Sequence, residues 1–505
     1  MIALDGHSLT LDQLTSIAED GAAATVAPEA RERVEAARAV VERAAVGSES
    51  VYGVNTGFGA LSNVRIPADA LGALQLNLLR SHAAGVGPPL PVPFVRAMMA
   101  LRANVLAKGY SGVRPDTLDL LVAMLNRGVH PIVPRRGSVG ASGDLAPLAH
   151  LALVLVGEGE AFAAGGDRQP GAMALAAAGL TPVTLAAKEG LALINGTQAS
   201  TGVLALALSR AHRLARAADI TAALSLDALR ASVHPFDARI HAVRPFAGQA
   251  ATADNLLRLI AGSEINASHA HCGKVQDAYS LRCAAQVHGA AREALDFVDR
   301  VVATEANAAT DNPMVFADTG DLVSGGNFHA APVALAADVL SIAVTHLATI
   351  SERRCDRLMN PALSELPPFL TRDSGLHSGL MLAQVTAAAL TSELKSLAHP
   401  ASTDTIPTSA SKEDHVSMSM GAALKAFDAV DLATHVVAIE ALCACQGLDL
   451  LAPLRTSAAL RGVLTTVRRE VPMLAADRSL APDIAAIAAL VASGAFERAC
   501  PLEVK

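Results

Sequence analysis

From about residue 200 to residue 450 the chain is written largely in Ala and Leu. These residues have the strongest helix propensities. Their runs predict long helices over Ala199–Ala217, His288–Asn307, Ala331–Arg354, Ser378–Leu397 and Met420–Cys445. Each exceeds the average helix of about 11 residues. Loops rich in Gly, Asn and Pro separate them: Asp311-Asn312-Pro313, Ser324-Gly325-Gly326-Asn327, Pro367-Pro368 and the Thr403–Asp414 stretch. Helices this apolar must be covered on nearly all sides, inside a bundle or an oligomer. The expected fold is mainly α, with a long-helix bundle core over 201–450. A loop-rich region over 1–200 precedes it, and a helical segment over 451–505 follows. Sheet is expected only in short hairpins.

Composition excludes several classes of function. A net charge of −8 over 505 residues gives no basic footprint, so nucleic acid is not an expected partner. Met1–Thr10 carries Asp5 and no basic stretch, which argues against a secretory signal. The longest apolar stretch, Leu145–Val156, contains His150 and is shorter than the roughly 20 residues a bilayer requires, and no membrane is expected. Six scattered Cys suggest no disulfide framework, and the cytoplasm is the expected compartment. Cys443-Ala444-Cys445 and His269-Ala270-His271-Cys272 match no standard zinc spacing, so no metal is expected.

The N-terminal region contains helices over Asp12–Ala18, Glu29–Ala45, Leu71–Arg80, Val95–Lys108, Pro115–Arg127 and Leu148–Val156. Tyr52 opens a glycine-rich loop, Tyr52-Gly53-Val54-Asn55-Thr56-Gly57-Phe58-Gly59, which suits a side chain reaching over a site. The most informative run is Gly137-Ser138-Val139-Gly140-Ala141-Ser142-Gly143-Asp144-Leu145-Ala146-Pro147. Its plain reading is a turn before a helix, with Asp144 as a cap and Pro147 in the first turn. Its other reading is chemical. With no bulky side chain in the way, the Gly143 amide nitrogen can close on the Ala141 carbonyl carbon. Loss of two waters, one carrying the Ser142 hydroxyl, leaves a 4-methylideneimidazol-5-one. That ring is an electrophile made from the protein's own backbone.

The string GSVGASGDLAPLAH over 137–150 resembles the cofactor-forming segment of the aromatic amino acid ammonia-lyases. YGVNTGFG from Tyr52, SHAAGVG from Ser81, NGTQAS from Asn195, VQDAYSLRC from Val275, SGGNFHA from Ser324 and EDHVSM from Glu413 match the same family in the same order. The resemblance runs from about residue 50 to 460 and is greatest to the branch that acts on histidine. It implies elimination of ammonia from L-histidine to give trans-urocanate. It also implies a methylideneimidazolone from Ala141, Ser142 and Gly143, no external cofactor, and a homotetramer in which several chains shape each site.

The same resemblance gives roles to residues. Removing a weakly acidic β-proton needs a base, and Tyr52 and Tyr279 are the candidates, with Tyr52 favoured. Its environment must lower its pKa from the ordinary value of about 10. Arg282 is the expected carboxylate anchor. Asn195 is assigned either the ring oxygen or the substrate carboxylate. His82 and Glu413 are expected to read the imidazole, Gln276 to line the site and Phe328 to pack on the ring. Thr197 is expected to cap the helix that follows it. Lys412, Ala278, Ala284-Ala285, His288 and Ala331 depart from the family pattern without removing an essential group. A tyrosine or phenylalanine lyase, or a 2,3-aminomutase, remains the nearest alternative. A non-catalytic helical scaffold is the alternative of another class.

Overall fold

A computed structural model describes residues 1–270, 273 and 275–505, and its regular structure is predominantly α-helix. The chain forms two compact units, each drawn from three stretches. The first comprises Met1–Ser209, Asp299–Asp338 and Pro400–Leu424; the second comprises Arg210–Val298, Val339–His399 and Lys425–Lys505.

The expected long helices are present and mostly run further than their sequence suggested: Gln198–Ala228, Ala284–Glu305, Ala331–Met359, Met381–Leu397 and Ser419–Leu450. The mainly α fold therefore holds. Sheet is sparse, but not all of it is hairpin. Ile2–Leu4 pairs in parallel with Ala24–Val26, and Val86–Pro89 pairs with the distant Pro134–Arg136. Ala331–Met359 is long and apolar enough to cross a membrane, with 67% of its apolar window buried inside the protein. Asp338 and His346 interrupt its sequence, which is why it did not stand out as an apolar run.

In the first unit, the Val92–Ala107 helix is buried at every residue from Phe94 to Ala107. Two helices packed on each other bury Leu71, Leu78 and Leu79 on Leu71–His82, and nearly all of Leu145–Leu155. These helices form the frame on which the loops around residues 52, 142, 195 and 413 are hung.

In the second unit, the helices enclose charges as well as methyl groups. Arg354 Nε donates to Glu440 Oε1 at 2.5 Å and Nη2 to Glu440 Oε2 at 2.8 Å, with neither side chain exposed. Ser225 Oγ donates to the same carboxylate. Asp219 accepts from Arg292 at 2.7 Å and from Asn255 at 2.9 Å, and pairs with His288 at 2.7 Å. Burial alone would raise the Asp219 pKa, but Arg292 and the bonds from His288 and Asn255 outweigh it and hold the carboxyl at about 2.

A carboxyl depressed in this way stabilises the folded chain above its unfolded pKa, and the contribution is lost as pH falls through the folded value. Stability to denaturant should therefore fall between pH 4 and pH 2, with Asp219 contributing, because its carboxyl is held at about 2, below the ordinary 3.8. Asp219→Asn should be less stable at neutral pH and show a flatter acid dependence over that window. Equal slopes in the two proteins would contradict this.

Candidate active site

Gly143 has φ +75°, and a Cβ there would lie 2.2 Å from the Gly196 carbonyl oxygen. Only glycine fits, both for its torsion and for the space. The two glycines form a parallel backbone bridge, and Asp144 N donates to Gly196 O at 2.7 Å. Gly140 is equally constrained: at φ +66° its Cβ would sit 2.3 Å from the hydroxyls of both Ser417 and Ser419. Ser417 Oγ in turn donates to Gly140 O at 2.8 Å. The loop is thus pressed between two other segments, with Ala141 and Gly143 buried and Ser142 half-buried.

Asn195 completes the clamp. Its Nδ2 donates to the Ser142 carbonyl oxygen at 2.7 Å. This is the carbonyl that survives a ring closure between Gly143 N and Ala141 C. Of the two assignments offered for Asn195, the single chain displays contact with this oxygen. Asn195 Oδ1 is buried without a hydrogen-bond partner, leaving an acceptor available beside the loop.

Asp144 serves two helices. Its backbone is the N-cap of Leu145–Leu155, yet its side chain makes no cap bond there. The carboxylate instead accepts from Ser200 N at 2.7 Å and Ser200 Oγ at 2.8 Å, in the first turn of Gln198–Ala228, and from Ser138 Oγ at 2.7 Å. The cap expected of Thr197 is thereby corrected: Thr197 Oγ1 donates to Glu305 Oε1 at 2.5 Å, and Asp144 supplies the acceptor for the helix. Burial raises the Asp144 pKa against the opposing pull of these donors. Two helix N-termini, with their partial positive charge, start close to the 142–144 backbone.

A cavity of about 320 Å³ opens over Ser142. Tyr52, His82, Asn195, Phe328 and Glu413 line it, as does Ser142 itself. Leu61, Leu78, Leu145, Leu191 and Ile194 give it apolar walls. Ser142 Oγ donates to Glu413 Oε1 at 2.5 Å, while Thr408 Oγ1 and Ser409 Oγ donate to Glu413 Oε2 at 2.6 and 2.7 Å. Burial would raise the Glu413 pKa, but the hydrogen bonds from these three hydroxyls bring it below the ordinary value. His82 Nδ1 lies 2.9 Å from the Leu78 carbonyl, where it can only donate, which leaves Nε2 as the acceptor. Tyr52 lies edge-on to Phe58, with ring centroids 6.4 Å apart. Its pKa is raised, by burial first and by the Glu413 charge, with the Gly59 N–H opposing. The lowering expected of its surroundings is absent within one chain.

Gln276, Tyr279 and Arg282 belong to the second unit and do not line this cavity. Tyr279 is 69% exposed, and the Arg282 guanidinium stacks 4.7 Å from its ring centroid. His271 and Cys272 lie outside the described residues. Among the described residues, no group of three or more His, Cys, Asp or Glu is placed to hold a metal ion. Thr408, Ser409 and Asn312 escaped the sequence reading. The signal for the first two was present as hydroxyl residues just ahead of Glu413 in a Pro-containing loop.

Comparison with known proteins agrees with this geometry. A family model described as aromatic amino acid lyase matches residues 9–469. The histidine ammonia-lyase of Anaeromyxobacter sp. (strain K) is 58% identical over 504 residues, covering 98% of this chain and 99% of that protein. Among solved structures, histidine ammonia-lyase from Trypanosoma cruzi superposes with a TM-score of 0.92 at 46% identity, covering 99% of this chain and 94% of that one. Tyrosine aminomutase from Streptomyces globisporus gives 0.95 at 37% identity, covering 100% of both chains.

Gly143→Ala tests the clamp directly. A left-handed torsion on a Cβ-bearing residue and an intruding methyl together should cost roughly 2–4 kcal/mol of stability. Gly421, whose added Cβ would meet nothing within 4 Å, is the control, and Gly421→Ala should be neutral or better in denaturant unfolding. Equal tolerance at both positions would contradict the close approach.

Proposed function

Because the chain belongs to the aromatic amino acid lyase family, we propose that it acts as a histidine ammonia-lyase, a carbon–nitrogen lyase converting L-histidine to trans-urocanate and ammonia. The observation that carries the substrate is the presence of His82 and Glu413 in the same cavity, above Ser142. Both offer acceptors, one on a ring nitrogen and one on a carboxylate, and a protonated imidazole, with an N–H on each ring nitrogen, can satisfy both. An apolar aromatic ring would leave them unpaired, which disfavours phenylalanine.

Ala141, Ser142 and Gly143 fit a 4-methylideneimidazol-5-one. The torsion and tight seating of Gly143 suit ring closure, and Asn195 already holds the oxygen the ring would keep. Such a group supplies an electrophilic carbon that helps a poorly leaving amine depart. The remaining work falls to the side chains. Asn195 fixes the Ser142 carbonyl, Glu413 and His82 hold the imidazole, and Phe328 packs across the cavity. The β-proton falls to Tyr52, a reading supported by its position in the cavity lining.

That role requires a lower pKa than a single chain gives Tyr52. We assign the difference to assembly, in a homotetramer where Gln276, Tyr279 and Arg282 of another copy complete the cavity. Arg282 would anchor the substrate carboxylate there. The exposure of Leu335 and Leu382 at 53% each and Val385 at 50%, all on long helices, supports a covered surface. The five described cysteines are free thiols, which suits a cytoplasmic enzyme.

The alternative within the family is the aminomutase outcome, which the fold does not separate from the lyase. Incubation with L-histidine should release urocanate, followed by its ultraviolet absorbance, with no β-histidine. His82→Leu should lose at least about a hundredfold in kcat/KM. Mixing Tyr52→Phe with Arg282→Ile chains should restore part of the activity that each lacks alone. Faster turnover of tyrosine than of histidine would reject the substrate, and failure to complement would reject the shared site.

A further inference from the structure

Arg102 has no part in the chemistry described so far, yet it is fully buried in the Val92–Ala107 helix. Its Nη1 donates to the Asn195 carbonyl at 3.0 Å and to Gln198 Oε1 at 2.6 Å, and its Nη2 donates to the Ala192 carbonyl. Gln198 Nε2 passes the contact on to Thr310 Oγ1 at 2.7 Å. These acceptors flank the short connector Asn195-Gly196-Thr197. Ala192 lies in the Glu189–Ile194 helix, and Gln198 opens Gln198–Ala228. The connector sits directly on the guanidinium: a Cβ on Gly196 would lie 2.4 Å from Nη1 and 2.3 Å from Gln198 Oε1.

The same connector carries the groups that clamp the reactive loop. Asn195 Nδ2 reaches the Ser142 carbonyl at 2.7 Å, and Gly196 O receives Asp144 N at 2.7 Å. A planar fork with donors on both sides can hold two segments in fixed relation, which a single ammonium cannot. Buried Lys188 lies within electrostatic reach of Arg102 and donates from Nζ to Asp311 Oδ2 at 2.9 Å and to the Ser111 carbonyl at 3.0 Å. Burial lowers the Arg102 pKa to about 10 against the pull of Asp311, so the guanidinium is charged at neutral pH.

We infer that Arg102 is a positioning residue for the reaction: it grips both ends of the 195–197 connector and thereby sets the Asn195 hydrogen bond on the Ser142 carbonyl oxygen. This rests on the proposed function, because that oxygen enters the chemistry only if residues 141–143 cyclise. The competing account makes Arg102 a helix-end fastener with no influence on the reacting atoms.

The test uses Arg102→Lys in the full-length, assembled protein, which retains a positive charge and loses the fork. Intact mass first establishes that parent and variant have each lost two waters. If the parent has not, the proposed function fails and not this inference. In mature protein, weakening the hydrogen bond on the conjugated carbonyl should move its near-ultraviolet band to shorter wavelength, in the direction given by Asn195→Ala. The kcat should fall on the order of tenfold to a hundredfold, with KM within about threefold of the parent. A fastener would change melting temperature and leave band and kcat in place, and that result overturns the inference. If the lysine variant does not fold, Gln198→Met removes one acceptor while keeping the buried arginine. It should shift band and kcat the same way by less, and parent values there overturn the inference equally.

Discussion

Gly143 and Gly196 lie backbone against backbone, with the Asp144 amide on the Gly196 carbonyl, and the first unit is organised to keep them so. Any side chain at either position would collide with its surroundings. The approach is held from several directions: by Asn195 on the Ser142 carbonyl, by Ser417 on Gly140, and by the Asp144 carboxylate on the start of a 31-residue helix. A loop of small residues in water samples many conformations, and its ends are no closer to reacting than chance allows. Here the cost of confining it is met by contacts outside the loop, in keeping with strain stored at functional sites.

The clamp also explains the division of labour around it. Part-buried polar groups near the loop are oriented by other polar groups, which fixes them before a substrate arrives. Glu413 is fixed by Thr408 and Ser409, and His82 by the Leu78 carbonyl. A substrate ring therefore meets acceptors already in place. The apolar walls from Leu61, Leu78, Leu145, Leu191 and Ile194 exclude water without competing for its nitrogens. What the single chain lacks is equally informative. Tyr52 retains its proton because burial and Glu413 both favour the neutral phenol.

Much of this was legible in the sequence. Tyr52, His82, Ser142, Asn195, Phe328 and Glu413 were named from motif strings far apart in the chain, and one cavity collects them. Gln276, Tyr279 and Arg282 were named on the same grounds and belong to the second unit, because a string reports order along a chain and not the fold around it. The helix expected to end at Ala217 continues to Ala228. Asp219 lies in that extension, and Arg292, His288 and Asn255 pair with it from other helices. Thr197 looked like the cap because it adjoins the helix, and Asp144 looked like a cap only for the helix that follows it; the side-chain acceptor for Ser200 comes from more than fifty residues away. Arg102 drew no notice in the sequence, and only its surroundings reveal a buried fork.

The claim on which the rest stands is that Ala141, Ser142 and Gly143 become a ring. High-resolution mass spectrometry of the mature protein, digested to release the peptide beginning at Gly137, reads this without reference to any substrate. The account predicts a peptide lighter than its sequence by two waters, with fragment ions placing the loss within residues 141–143. A peptide of full unmodified mass would contradict it, and the clamp would then hold an ordinary turn.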